Sequence, residues 1–198
     1  MLDGVAEATA ASAAFVPAHY ECVLTGDRLF SKVHPHEIVE DGLVLSVRGS
    51  IDGGLDGLAL EQFVLPPSGE LPLRVVDVVR WADLRPVHLD RSGFIKRWQR
   101  YTGELHALLE RGDGNVCAES EARADELLLR AHTFARSLLH NFDELDFLEG
   151  AGEHARGPLA VLHYKEDGLT PHLYFLAAGA RLVPERGGGP AQRFAAGT

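Results

Sequence analysis

Residues 158–176 read PLAVLHYKEDGLTPHLYFL. Two apolar runs, Leu159–Tyr164 and His172–Leu176, flank a polar connection, Lys165-Glu166-Asp167-Gly168. Gly168 takes φ > 0 without steric cost, so the chain reverses cheaply there. Runs of this length, rich in Val, Tyr and Phe and bounded by turn formers, predict two paired antiparallel strands. Apolar side chains fall on both faces: Leu159 and Val161 on one, Leu162 and Tyr164 on the other. A strand that is apolar on both faces must be covered twice, and helices are the usual cover.

Upstream of the hairpin the period changes. Phe94, Trp98, Tyr101, Leu105 and Leu108 recur at intervals of four and three, one face of a helix over Asp90–Arg111. Asp90 is placed to cap its start and Gly112 to stop it. A second helix is predicted over Glu119–His140, with Leu128, Ala131, Phe134, Ala135, Leu138 and Phe142 as its buried side. The short link Gly112-Asp113-Gly114-Asn115 makes the pair an antiparallel helical hairpin. Before it, Leu73–Trp81 (LRVVDVVRW) reads as a strand. Ser50–Pro72 is rich in turn formers, with room for a short strand at Leu58–Leu65. Nearer the start, Tyr20–Leu24 reads as a strand followed by a turn at Thr25-Gly26-Asp27. Leu43, Leu45 and Val47 alternate after the Asp41-Gly42 turn.

The wording of these pieces resembles one family. Tyr164-Lys165-Glu166-Asp167-Gly168-Leu169-Thr170-Pro171 is similar to the C-terminal signature of the translationally controlled tumour protein family, Tyr-Arg-Glu-Asp-Gly-x-Thr-Pro. The spacing from Tyr20 through Asp27, Phe30 and Ser31 to Asp41-Gly42 resembles the family's N-terminus, and Val76-Asp77-Val78-Val79 resembles its Val-Asp-Ile-Val. The likeness implies an α+β fold: a mostly antiparallel β-tent core with an α-helical hairpin. It implies a domain over residues 20–183, while the Ala-rich start at 1–19 reads as a disordered or weakly helical extension and the Gly-rich tail at 184–198 as disordered.

Composition sets limits on function. The 198 residues are 45% hydrophobic, enough for one sizeable core. A formal charge of -10 argues against bulk nucleic-acid binding. No run reaches the roughly 18 apolar residues of a membrane span. The start, rich in Ala but carrying Asp3 and Glu7, lacks the early positive charge of a secretory signal. A cytoplasmic monomer is expected. Two cysteines, Cys22 and Cys117, form no C-x-x-C pair, which fits a reducing compartment and leaves a zinc or dithiol centre unsupported.

No catalytic motif stands out. There is no G-x-S-x-G elbow and no G-x-x-x-x-G-K-[ST] loop. His34 and His36 flank Pro35 without a third ligand at metal spacing, and read as exposed loop histidines. An enzyme like the β-tent methionine sulfoxide reductases would need a reactive low-pKa cysteine. The expectation is therefore a binding protein, not an enzyme, needing no cofactor.

Two surfaces are candidates. Around the first helix lie Arg80, Arg85, Arg91, Lys96, Arg97 and Arg100, against only Asp83 and Asp90. A face carrying Arg91, Lys96, Arg97 and Arg100 suits an acidic partner, and the resemblance implies microtubules, with the tubulin tail as that partner. The resemblance also implies a tent surface at Asp27, Arg28, Phe30, Ser31, Tyr164, Glu166 and Asp167, contacting a small Ras-like GTPase. In the family an acidic residue follows the Asp matching Asp27; here Arg28 reverses that charge. A second family glutamate, in Phe-x-Gly-Glu, corresponds either to Glu153 after Gly152 or to no residue of this chain, and Phe147-Leu148-Glu149-Gly150 does not decide between the two. Finally, the likeness implies weak calcium binding, for which Glu166, Asp167, Asp52 and Asp56 offer oxygens, although no EF-hand pattern is present.

Overall fold

A computed structural model describes residues 17–51, 76–112, 124–152, 157–164 and 170–185. The deciding stretch forms β7 (Leu159–Tyr164) and β8 (Pro171–Leu176), antiparallel with Val161 opposite Tyr174 and Leu162 opposite Leu173. The turn between them lies outside the described residues. These strands sit inside a six-stranded sheet with β3 (His36–Val39), β4 (Val44–Arg48), β5 (Arg85–Pro86) and β6 (Leu145–Glu149), ordered β3-β4-β8-β7-β6-β5. A three-stranded sheet, β2-β1-β9, is built from β1 (His19–Cys22), β2 (Arg28–Ser31) and β9 (Ala180–Val183). Every pairing among the described strands is antiparallel.

The large sheet is covered on both faces, but by different things. On one face Phe147 meets Phe94 at 5.0 Å and Tyr174 meets Phe134 at 6.2 Å, so the helices lie there. On the other, Phe175 stacks on Phe30 of the small sheet at 5.7 Å. The second cover is thus a sheet rather than the expected helix. Leu162, Leu173 and Leu159 are fully buried between these layers, and each such side chain contributes about 1.5–3 kcal/mol.

The helical hairpin is α2 (Arg91–Glu110) and α3 (Ala124–Leu138). The Asp90 side chain caps α2, accepting from the Gly93 N–H at 2.6 Å. Phe94, Trp98, Tyr101 and Leu105 face inward as their spacing requires, while Leu108 is only half-buried. On α3 the buried stripe is Leu127, Ala131, Phe134, Ala135 and Leu138. Leu128, expected inside, is half-buried, because Leu127 stands one helical turn before Ala131. The indole Nε1 of Trp98 donates to the Ala131 carbonyl at 3.0 Å and ties the helices together. The Arg130 guanidinium donates to the carbonyls of Glu40 and Asp41 at 2.6 and 2.7 Å, pinning α3 to the β3–β4 turn.

The expected strand over Leu73–Trp81 is corrected. Residues 73–75 lie outside the described set, and Asp77–Ala82 is a helix, α1. Val78 and Val79 are both buried, together with Ala82. A strand covered on one side cannot bury two neighbours, whereas a helix puts 78, 79 and 82 on one side. Asp77 favours the helix start, and its carboxylate also accepts from the Ser50 N–H at 2.8 Å and hydroxyl at 2.6 Å. The expected disordered ends fall almost wholly outside the described residues. His19, however, belongs to β1, paired with Val183. The expected strand at Leu58–Leu65 is also outside them. No helix among the described residues is long and apolar enough to cross a membrane.

Candidate functional site

The turn entering β2 carries Asp27. Gly26 takes φ 76°, which lets the chain reverse. The Asp27 carboxylate accepts from the Thr25 hydroxyl at 2.7 Å and the Gly152 N–H at 3.0 Å. It occupies the space in front of Gly150 and Gly152, where a Cβ on Gly150 would sit 2.5 Å from Asp27 Oδ2. Asp27 therefore latches the loop after β6 to the small sheet, instead of offering a free carboxylate to a partner. Gly150→Ala is expected to cost about 2 kcal/mol through overpacking. In Asp27→Gly the same substitution should cost much less, which a urea-unfolding double-mutant cycle reads directly.

Arg28 follows, exposed, with its guanidinium 5.6 Å from the centre of the Trp81 ring on α1. His19 and His34 approach that ring edge-on at 5.6 and 6.1 Å. His34 is buried: its Nδ1 lies 3.1 Å from the Ser31 N–H, and its Nε2 is 3.9 Å from Asp77. His36 is half-buried, 2.8 Å from the His34 carbonyl through Nδ1. The reading of both as exposed loop histidines is corrected, since the β2–β3 connection folds back into the small sheet. Phe30 and Ser31 are also corrected. Both are 0% exposed, with Phe30 stacked on Tyr20 at 4.5 Å, so they build the core and present nothing to a partner. Alternation explains little here, because β2 buries three consecutive residues.

Tyr164 ends β7 on the large sheet, apart in the topology from Arg28 on the small one. Burial, and then the nearby Asp146 carboxylate, raise the pKa of its phenol. Glu166, Asp167, Glu153, Asp52 and Asp56 lie outside the described residues, as does Cys117. Among the described residues no group of three or more His, Cys, Asp or Glu is placed to hold a metal. Cys22 is buried, beside the Tyr101 phenol.

The basic helix divides. Arg97 lies 3.4 Å from Glu149 of β6, with both side chains largely buried, so it fastens α2 to the sheet. This corrects its place on the partner face. Arg91 stacks on Phe142 at 5.5 Å and reaches Asp143 at 3.4 Å, while Arg100 pairs with Glu104 at 3.4 Å. Lys96 is exposed and makes no ion pair among the described residues.

A groove of about 220 Å³ runs between the outer sides of α2 and α3. Ile95, Gln99, His132 and Arg136 form its rim, with Trp98 and Ala135 below. Arg136 is exposed and, like Lys96, has no ion pair among the described residues. His132 and Arg136 escape a search for runs of charge, because they lie four apart among apolar neighbours. The helical period of α3 is the signal that puts them on one side.

The chain matches the family model for translationally controlled tumour protein over residues 68–181. Among curated proteins it is 25% identical over 174 residues to the translationally controlled tumour protein of Mus musculus, covering 82% of this chain and 96% of that one. It is 23% identical over 172 residues to the homologue of Danio rerio, with the same coverage. Among solved structures, the translationally controlled tumour protein of Caenorhabditis elegans superimposes with a TM-score of 0.63 at 21% identity, over 83% of this chain and 97% of that one. The corresponding Schizosaccharomyces pombe protein gives 0.60 at 22% identity, over 83% and 98%.

Proposed function

Because the chain belongs to the translationally controlled tumour protein family, we propose that it is a non-enzymatic cytoplasmic binding protein that docks an acidic segment of a protein partner, such as a tubulin tail, between α2 and α3. One observation carries this reading. Arg136, a cation with no ion pair among the described residues, lines a groove that also exposes Ile95, and Lys96, the exposed neighbour of Ile95 on α2, likewise makes no ion pair among them. An acidic chain with interspersed apolar residues would satisfy both features. The other cations of α2 are already matched by Asp143, Glu149 and Glu104, so they add little attraction.

The reading of a Ras-like GTPase regulator has less support. Its tent surface loses Phe30 and Ser31 to the core, spends Asp27 on the Gly152 latch, and presents Arg28 where the family carries an acid.

The test uses a fluorescent glutamate-rich tubulin-tail peptide. Lys96→Glu combined with Arg136→Glu is expected to weaken binding at least about tenfold, or 1.4 kcal/mol. Binding by the unaltered chain should also fall steeply as salt rises, since both cations are exposed. Equal binding by the double variant would remove the groove from consideration.

A further inference from the structure

Two adjoining hollows open on the helix-side face of the large sheet, on a different side of α3 from the groove. The first, about 330 Å³, is lined by apolar Phe134, Leu138, Leu145 and Tyr174 and, on its polar side, by Glu40, Asn141 and His163. The second, about 390 Å³, is bounded by Arg48, Thr170 and His172. Glu37 and Ser46 line both, so the hollows meet there.

Strand register explains the convergence. Glu37 on β3 lies opposite Ser46 on β4, Ser46 opposite Tyr174 on β8, and Arg48 opposite His172. With a side-chain period of two, these five share one face. Glu37 and Arg48 are diagonal neighbours, within reach of one small molecule at about 7–8 Å. Neither forms an ion pair among the described residues, although their charges are opposite. The floor between them is buried and polar: Ser46 and His172 are 4% and 5% exposed, with Oγ and Nδ1 3.1 Å apart. Burial, followed by the Glu37 and Glu40 carboxylates, raises the pKa of the Tyr174 phenol and keeps it a neutral donor.

We propose that the double hollow binds a free apolar α-amino acid, with its carboxylate on Arg48, its ammonium on Glu37 and its side chain between Phe134, Leu138, Leu145 and Tyr174. A zwitterion carries both charges on one carbon, and so satisfies an unpaired cation and an unpaired anion that face the same concavity. An anion alone would meet Glu37, and a cation alone would meet Arg48. The apolar walls favour a branched or aromatic side chain over a polar one.

The probes are L-phenylalanine and L-leucine, followed by amide shifts in the full-length labelled protein. Saturable shifts are expected at Glu37, Ser46, Arg48, His172 and Tyr174. N-acetyl-L-phenylalanine lacks the ammonium and L-phenylalaninamide lacks the carboxylate; each should bind at least about tenfold more weakly. Glu37→Gln and Arg48→Ala should weaken L-phenylalanine to a similar degree while leaving shifts elsewhere in the spectrum in place. L-serine should bind more weakly than L-phenylalanine. No saturable shift with either probe, full affinity in both variants, or equal affinity for L-serine would each overturn the assignment.

Discussion

Phe94→Ala is expected to lower the unfolding free energy by about 4 kcal/mol. Phe94 is fully buried where three elements meet. Its ring centroid lies 5.7 Å from Trp98 on its own helix, 5.9 Å from Phe142 after α3, and 5.0 Å from Phe147 on β6. Removing the ring leaves a void with rigid walls, since the Trp98 indole is held by the Ala131 carbonyl. The helical hairpin would then lose its central contact with the sheet. The urea midpoint should fall with an unchanged slope, and the melting temperature should drop by about 10 °C. Phe94→Leu, which refills most of the volume, should cost less than half as much. A loss below about 1 kcal/mol in Phe94→Ala would mean that the hairpin is held elsewhere.

Gly179→Ala is the second large expected effect, about 3 kcal/mol. Gly179 lies in the short turn, Ala177–Gly179, that carries β8 of the large sheet into β9 of the small one. A Cβ there would fall on the Tyr101 hydroxyl, with Leu105 Cδ1 3.4 Å away. Tyr101 has little freedom to yield, because it is 3% exposed, with its phenol beside Cys22. Burial, first, and then Cys22 push its pKa well above the ordinary range, so the phenol remains a neutral partner. The Gly179 carbonyl also accepts from the Val23 N–H at 3.0 Å, which leaves the turn no room to slide. Tyr101→Phe should recover more than half of the loss in thermal melts, by removing the atom the methyl meets. Tyr101→Phe alone should cost at most about 1 kcal/mol. If Gly179→Ala melts like the unaltered chain, the turn is not in contact with α2.

Much of this architecture was legible in the sequence, for physical reasons. The two apolar runs around Lys165–Gly168 give β7 and β8 directly, because burial on both faces leaves no polar alternation to misread. The spacing of Phe94, Trp98, Tyr101 and Leu105 gives α2, and Asp90 marks its start. The Tyr-x-Glu-Asp-Gly-x-Thr-Pro wording and the N-terminal spacing led to the family that the comparisons bear out. Leu73–Trp81 misled because valines favour strands in isolation, whereas α1 is decided by what Val78, Val79 and Ala82 meet in the core. The candidate surfaces were least legible. Charge alone cannot separate Arg97, which is matched by Glu149 from a strand 52 residues away, from Lys96, which is not matched. Nor can it bring Arg136 to Ile95 and Gln99, because that neighbourhood exists only once two helices pack. The family resemblance puts Phe30 and Ser31 on the tent surface, whereas Phe175 of the large sheet stacks on Phe30 and Ser31 is fully buried.

The most direct test of the partner surface is an amide-shift map of the full-length labelled protein titrated with a glutamate-rich tubulin-tail peptide. Saturable shifts are expected around Ile95–Gln99 and His132–Leu139, weakened by salt and lost in Lys96→Glu/Arg136→Glu. Shifts centred instead on Asp27–Val33, unaffected by that double variant, would contradict that expectation and return the partner site to the tent surface around Arg28.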